Sequence, residues 1–213
     1  MRECSPLGFP VSDLPQRCRT YRALRKAREF LIRSHVTKLP IQPQVLYDMY
    51  GWGLYSKDEA RSIFPGVDFL RKGIEARTVR HRETGAYITV YDETVLPERI
   101  LFTLAHEIGH IEMGHLVALS QRDELLTALV RPVVERESDK FAAELLAPTA
   151  VLRALGLTNP AEIARVCGLS TQASRNRARE LAWYCDTPMC LEMSQDMRDL
   201  FSPFISNLCS VAR

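Results

Sequence analysis

The sequence predicts an α+β protein, mainly helical, with one small antiparallel or mixed sheet and a small helical region at its C-terminal end. Three observations predict this. Apolar residues recur at helical spacing in several separate stretches. They alternate at strand spacing in one place, and helix-capping punctuation returns at Asn159 and Pro160. At 213 residues and 46% hydrophobic content, the chain suits one domain with a small appendage and a real core. The expected organisation is an irregular lead-in over residues 1–18, a main domain over 19–150, a helix-turn-helix-like region over 151–184 and a tail over 185–213.

Pro6, Pro10 and Pro15 make the lead-in irregular. A helix then follows from about Arg19 to Ser34, its buried stripe made of Leu24, Ala27 and Leu31. The rest of its surface is basic, with Arg17, Arg19, Arg22, Arg25, Lys26, Arg28 and Arg33 against Glu29. It reads as a solvated face rather than a partner site. Pro40 and Pro43 bracket a turn, a short helix runs near Gln44 to Tyr50, and a strand follows around Gly53 to Tyr55. Lys57 to Phe64 fits either class. Thr78 to Arg82 and Ala86 to Tyr91 form a hairpin around Glu83-Thr84-Gly85, where glycine supplies positive φ. In its second strand Ala86, Ile88 and Val90 alternate with Tyr87, Thr89 and Tyr91, so one face packs inward.

The next helix starts near Pro97, a residue tolerated in a first turn, and stops at Gly114. Leu101, Leu104, Ala105 and Ile108 are its core stripe. Beside that stripe lies His106-Glu107-Ile108-Gly109-His110, the pattern H-E-x-x-H. Residues four apart stand on one helical face, so two imidazoles can grip one zinc ion while the Glu acts on the activated water. This points to a zinc-dependent hydrolase. A hydrolytic zinc site takes three protein ligands and keeps a position for water. The third ligand is expected from the helical stretch Glu135 to Pro148, whose apolar stripe is Phe141, Ala142, Leu145 and Leu146. Glu135 and Asp139 share a face there. Glu135 is the expected ligand, Asp139 the acceptor that holds a ligand histidine, and Glu137 the second choice of ligand. Glu144 is expected at the surface. Glu107 is the expected general base. Tyr87, Tyr91 and His115 are candidates for the oxyanion or substrate; His115 could also be an extra ligand, but closing the helix end is the favoured reading for it.

Ala164 to Ser170 reads as the turn of a helix-turn-helix, with a second helix from Ser170 to Trp183 that carries Arg175, Arg177 and Arg179. Ser174 and Arg177 stand where a DNA-reading unit has apolar residues, which favours a helical cap. Met193, Met197, Leu200, Phe201 and Phe204 suggest a short amphipathic helix interrupted by Pro203.

No apolar run is long enough to cross a bilayer, and no apolar stretch follows the first residues as a secretory signal would, so a cytoplasmic protein is expected. A net charge of +2 argues for neither a nucleic-acid nor a membrane partner. Six cysteines (Cys4, Cys18, Cys167, Cys185, Cys190 and Cys209) show no C-x-x-C pair and read as free thiols, a second metal site at Cys185, Cys190 and Cys209 lacking any spacing support.

Gly85 to Val90, Pro97 to His110 and Glu135 to Pro148 together resemble the ImmA/IrrE family of metallopeptidases. The last stretch follows that family's E-x-E-A-N-x-F-A-A-x-L-L-x-P block, with Ser138 in place of Ala and Asp139 in place of Asn. The resemblance implies a zincin-like fold with Zn2+ and a cytoplasmic protease whose protein substrate is a regulator such as a helix-turn-helix repressor, in a mobile-element, phage or stress-response circuit. It also implies that Ala86 to Tyr91 is the edge strand over which an extended substrate lies. The rival expectation is a DNA- or protein-binding regulator whose metal site is structural or vestigial.

Overall fold

The computed structural model describes residues 15, 17–120, 124–184 and 194–211. In chain order the elements are α1 (Thr20–Arg33), α2 (Pro43–Tyr50), β1 (Gly53–Ser56), α3 (Lys57–Ile63), β2 (Ala76–Arg80), β3 (Tyr87–Tyr91) and α4 (Pro97–Glu112). Then come α5 (His115–Ser120), α6 (Glu124–Leu146), α7 (Thr149–Ala154), α8 (Pro160–Cys167), α9 (Thr171–Tyr184), α10 (Ser194–Leu200) and α11 (Ser202–Val211). The class is α+β, as expected. Most of the expected lead-in, together with Cys4, Cys185, Cys190 and Met193, lies outside the described residues.

The core is built where α1, α4 and α6 meet. Phe30 and Leu31 of α1, Leu104 and Ile108 of α4, and Phe141 and Leu145 of α6 are all fully buried. Each such side chain contributes about 1.5–3 kcal/mol of transfer free energy. Gly109 sits where α4 packs against the backbone of α6. A Cβ there would stand 3.1 Å from the Ser138 Cα and 3.2 Å from its carbonyl oxygen. A glycine at the fourth position of the H-E-x-x-H motif therefore lets the two site-bearing helices touch.

Local chemistry explains the ends of the elements. Ser56 and Glu59 form a capping box, each side chain bonding the other's backbone N–H, which makes the ambiguous Lys57 to Phe64 stretch a helix. The S-x-x-E spacing was the available signal. Asn159 caps α8 by accepting from Ala161 N–H at 2.8 Å, as read. The interruption expected at Pro203 falls at Phe201, between α10 and α11. Pro203 sits in the first turn of α11, and Met197 of α10 and Phe201 at the junction are fully buried. α6 starts eleven residues before Glu135, with Pro132 inside it. Burial of Val130 and Val134 carries the helix through a residue that disfavours it.

The sheet is mixed, in the order β1-β3-β2. β3 runs parallel to β1, from Gly53 opposite Ile88 to Ser56 opposite Tyr91, and antiparallel to β2. The expectation of β3 as an edge strand is therefore corrected. Its second partner comes from over thirty residues upstream, a distance at which no hairpin signal reports pairing. Among the described residues, β2 is an edge. Both faces of β3 are covered near its end. Val90 packs with Ala60 and Leu70 in a small satellite core, while Thr89, fully buried, faces α4.

Three further expectations are corrected by long-range pairing. Glu144 is not at the surface but completely buried. The basic face of α1 is not wholly solvated, because Arg28 is buried and bonded to Glu144, and Arg19 reaches Glu137. His115 does not close the end of α4; it opens α5 and is buried.

Candidate metal centre

One helical turn separates His106 from His110 on α4, and their Nε2 atoms stand 3.0 Å apart. Glu135 of α6 brings Oε2 to 3.1 Å from the first and 3.4 Å from the second. Donors on one tetrahedral zinc at about 2.0–2.1 Å stand roughly 3.4 Å apart, so the three atoms are spaced as ligands of a single small cation. They are a cluster able to hold a metal ion. The donor set, two imidazole nitrogens and one carboxylate oxygen, suits zinc. Glu135 is 44% exposed at its side chain, which leaves the shared point open on one side.

Electrostatics draws positive charge to the same point. Burial opposes a protonated His106, but hydrogen bonds with Asp139 and Glu135 lift its pKa to about 9. Burial likewise opposes a charged Glu135, yet the bonds to His106 and His110 hold its carboxyl far below the usual carboxylate range.

Each ring has a partner behind it. With Nε2 turned to the shared point, the His106 Nδ1–H donates to Asp139 Oδ1 at 2.8 Å. His110 Nδ1 meets His115 Nδ1 at 3.1 Å, and His115 Nε2 meets Glu137 Oε2 at 3.0 Å. Glu137 then accepts from Arg19 three times: from the backbone N–H at 2.7 Å, Nε at 2.8 Å and Nη2 at 2.9 Å. Burial raises the Glu137 carboxyl, but the bonds from Arg19 and His115 outweigh it and bring the pKa to about 2. Glu137 therefore faces away from the three-atom cluster, bonded to Arg19 and His115. His115 has both ring nitrogens engaged and is 2% exposed, so it does not reach a substrate.

Glu107 lies beside the cluster, 8% exposed, its Oε2 accepting from the Thr78 hydroxyl of β2 at 2.6 Å. Thr78 has one hydroxyl proton and gives it to Glu107. Thr89 of β3 must therefore donate to Thr78, across 2.7 Å. Tyr87 and Tyr91 share the face of β3 that carries Thr89; Tyr87 meets Trp52 edge-on and both tyrosines are partly exposed. Sequence reasoning placed His106, Glu107, His110, Glu135 and Asp139 together, as the structure does. It missed Thr78, Thr89, Arg19 and the place of His115. Thr78 and Thr89 were legible only as strand formers, and nothing local ties Arg19 to a residue 118 positions on.

At the other end of α6, Glu144 accepts from Arg28 Nε at 2.8 Å, Arg177 Nη2 at 2.5 Å and the Thr149 hydroxyl at 2.6 Å. Arg177 also bonds the Ala147 carbonyl with Nε at 2.9 Å, satisfying a backbone acceptor just past the end of α6. α8 and α9 do form a helix pair around a left-handed Gly168, but Ser174, Arg177 and Leu181 make α9's buried stripe. The polar residues that weakened the DNA reading are thus inward-facing. Arg175 and Arg179 stay exposed.

No helix among the described residues is long and apolar enough to cross a membrane. The chain matches no curated protein. A solved structure described as a Mycobacterium tuberculosis transcriptional regulator is similar over 73% of this chain and 51% of its own, at 16% identity and a TM-score of 0.45. This chain therefore spans about half the length of that one. The family model for the IrrE N-terminal-like domain, Peptidase M78, matches residues 65–179, from just before β2 to within α9. That span exceeds half of the chain and contains both halves of the His-His-Glu cluster, and the chain belongs to this metallopeptidase family.

Proposed function

We propose that this protein is a zinc-dependent endopeptidase acting on a protein substrate. The observation that carries the reading is the convergence of His106, His110 and Glu135 beside a carboxylate, Glu107, that is held by the hydroxyl of Thr78. In this reading the first three are the metal ligands and Asp139 holds His106. Bound zinc would supply Lewis acidity toward a water and the scissile carbonyl. Glu107 takes the proton from the attacking water and delivers it to the leaving amine nitrogen. Thr78 keeps one oxygen of Glu107 fixed, leaving the other for that water. The substrate strand adds to the free edge of β2, the strand that carries Thr78 next to the base. Tyr87 and Tyr91 are the candidates to face the bound substrate. We assign residues 19–150 to the peptidase unit and 151–184 to a helical cap.

The substrate we favour is a regulatory protein such as a helix-turn-helix repressor, cut in the cytoplasm within a mobile-element, phage or stress-response circuit. The alternative is a DNA- or protein-binding regulator with a structural or vestigial metal; its DNA-binding form needs α9 to read DNA, and Arg177, turned inward to Glu144, is withdrawn from that task. The test is zinc content and cleavage of a repressor encoded beside this gene, for the wild type, Glu135→Gln and Glu107→Gln. One zinc per chain, lost in Glu135→Gln and kept by an inactive Glu107→Gln, is the expected result. Full zinc in Glu135→Gln, or undiminished cleavage by Glu107→Gln, overturns the respective role.

A further inference from the structure

We infer that His115, Glu137 and Arg19 form a buried positioning relay that sets the tautomer and orientation of His110, and so its strength as a ligand. The inference rests on reading the cluster as a zinc site. Its geometry permits one order of protons. His110 points Nε2 at His106 Nε2 and Glu135, so its proton sits on Nδ1. That proton can go only to the atom it faces, His115 Nδ1, at 3.1 Å. His115 Nδ1 is therefore bare, and the ring carries its proton on Nε2, where Glu137 Oε2 accepts it at 3.0 Å. The Ser138 hydroxyl also lies 3.3 Å from His115 Nδ1. Glu137 is charged and completely buried, and Arg19 anchors it through two side-chain bonds and one backbone bond.

The two ligand histidines are therefore supported differently. Asp139 holds His106 directly, with its side chain 56% exposed. His110 is held by a neutral imidazole, with the carboxylate one ring further back; His115 and Glu137 are shielded from water, and Arg19 closes the chain from a partly exposed position. Partners behind a metal-bound histidine fix its tautomer and raise its basicity, and their loss weakens metal binding about 10- to 100-fold. The relay ends at Arg19, so the first residue before α1 contributes to a ligand on α4 through a carboxylate on α6. His115 and Arg19 act through His110 and touch no substrate.

The experiment measures zinc affinity by competition with a chromophoric chelator for the wild type, His115→Leu and His115→Gln, and reads the histidine tautomers of the wild type from nitrogen-detected imidazole spectra. We expect a bare Nδ1 and a protonated Nε2 on His115. We also expect zinc affinity to fall about 10- to 100-fold in His115→Leu. His115→Gln should stay near the wild type, because a glutamine oxygen can accept from His110 while its amide donates to Glu137. A proton on His115 Nδ1, or wild-type zinc affinity in His115→Leu, overturns the relay. If His115→Leu does not fold, the wild-type tautomer and His115→Gln decide. Failure of the wild type itself to take up zinc overturns the zinc reading instead, which keeps the two failures apart.

Discussion

Helix α6 presents two carboxylates to two very different surroundings. Glu135 meets the rings of His106 and His110 with 44% of its side chain exposed, whereas Glu144, nine residues on, meets Arg28 and Arg177 with 1% exposed. Both carboxyls are held below their ordinary range by their partners, against the opposing effect of burial. The difference lies in those partners. An imidazole can exchange its proton for a metal near neutral pH, while a guanidinium stays charged and can only remain a partner. An open site with exchangeable partners can do chemistry. A sealed site with permanent ones ties α1, α6 and α9 together and costs dearly when one member is lost. Charge on a helix is thus uninformative about function until its exposure and the identity of its partners are known.

The comparison breaks if the open end carries stability or the sealed end carries turnover. The largest expected effect is at the open end: Glu107→Gln should lower cleavage about 10²–10⁴-fold, the usual contribution of a positioned acid–base group. Its melting temperature and zinc content should stay near those of the wild type. At the sealed end, Glu144→Ala leaves two buried guanidinium groups without their carboxylate and should cost about 3–5 kcal/mol in urea unfolding. A loss under 1 kcal/mol there would show that the cluster is not the clamp described.

Gly109→Ala sits between the two ends and should affect both. Its added methyl meets the backbone of Ser138 at 3.1–3.2 Å. Forcing α4 from α6 should cost about 1–3 kcal/mol and also weaken zinc binding. Unchanged binding would mean that the helices can part without moving the ligands.

A smaller effect concerns pH. Burial pushes the Glu144 carboxyl up, but Arg177 and Arg28 pull it below its ordinary 4.5. A depressed folded value means that its stabilisation is fully present above the unfolded value and is lost as pH falls through the folded one. The stability difference between wild type and Glu144→Gln should therefore be constant above about pH 5 and shrink below pH 4.5, in urea titrations across that range. A difference that grows with acid would reverse the assignment. The smallest effect is a local one. Burial pushes the Cys167 thiol up to about 12 despite Arg177 nearby, whereas Cys209 is exposed. Alkylation at pH 8, mapped by mass spectrometry, should mark Cys209 and spare Cys167 until the protein is unfolded. Rapid labelling of Cys167 would show that the Arg177 end is open.

Much of the fold and half of the site could be read along the chain. His106, Glu107 and His110 are one motif on one helix, and helical spacing alone puts the two imidazoles on a common face. Glu135 and Asp139 declared a shared face in the same way, and the apolar stripes of α1, α4 and α6 were visible as periodicity. These are all local relations, fixed within a turn or two of helix. What the chain could not reveal is where long-range partners sit. Arg19 with Glu137, Arg28 and Arg177 with Glu144, Thr78 with Glu107, and β1 beside β3 each join residues 29 to 118 positions apart, or strands paired over thirty. A charged or hydroxyl side chain reads as surface in sequence, because burial is disfavoured unless a partner arrives. Only the packing of α1, α4, α6 and α9 brings those partners together, so only the tertiary structure could decide which polar residues are solvated, which lock the fold and which hold a ligand in place.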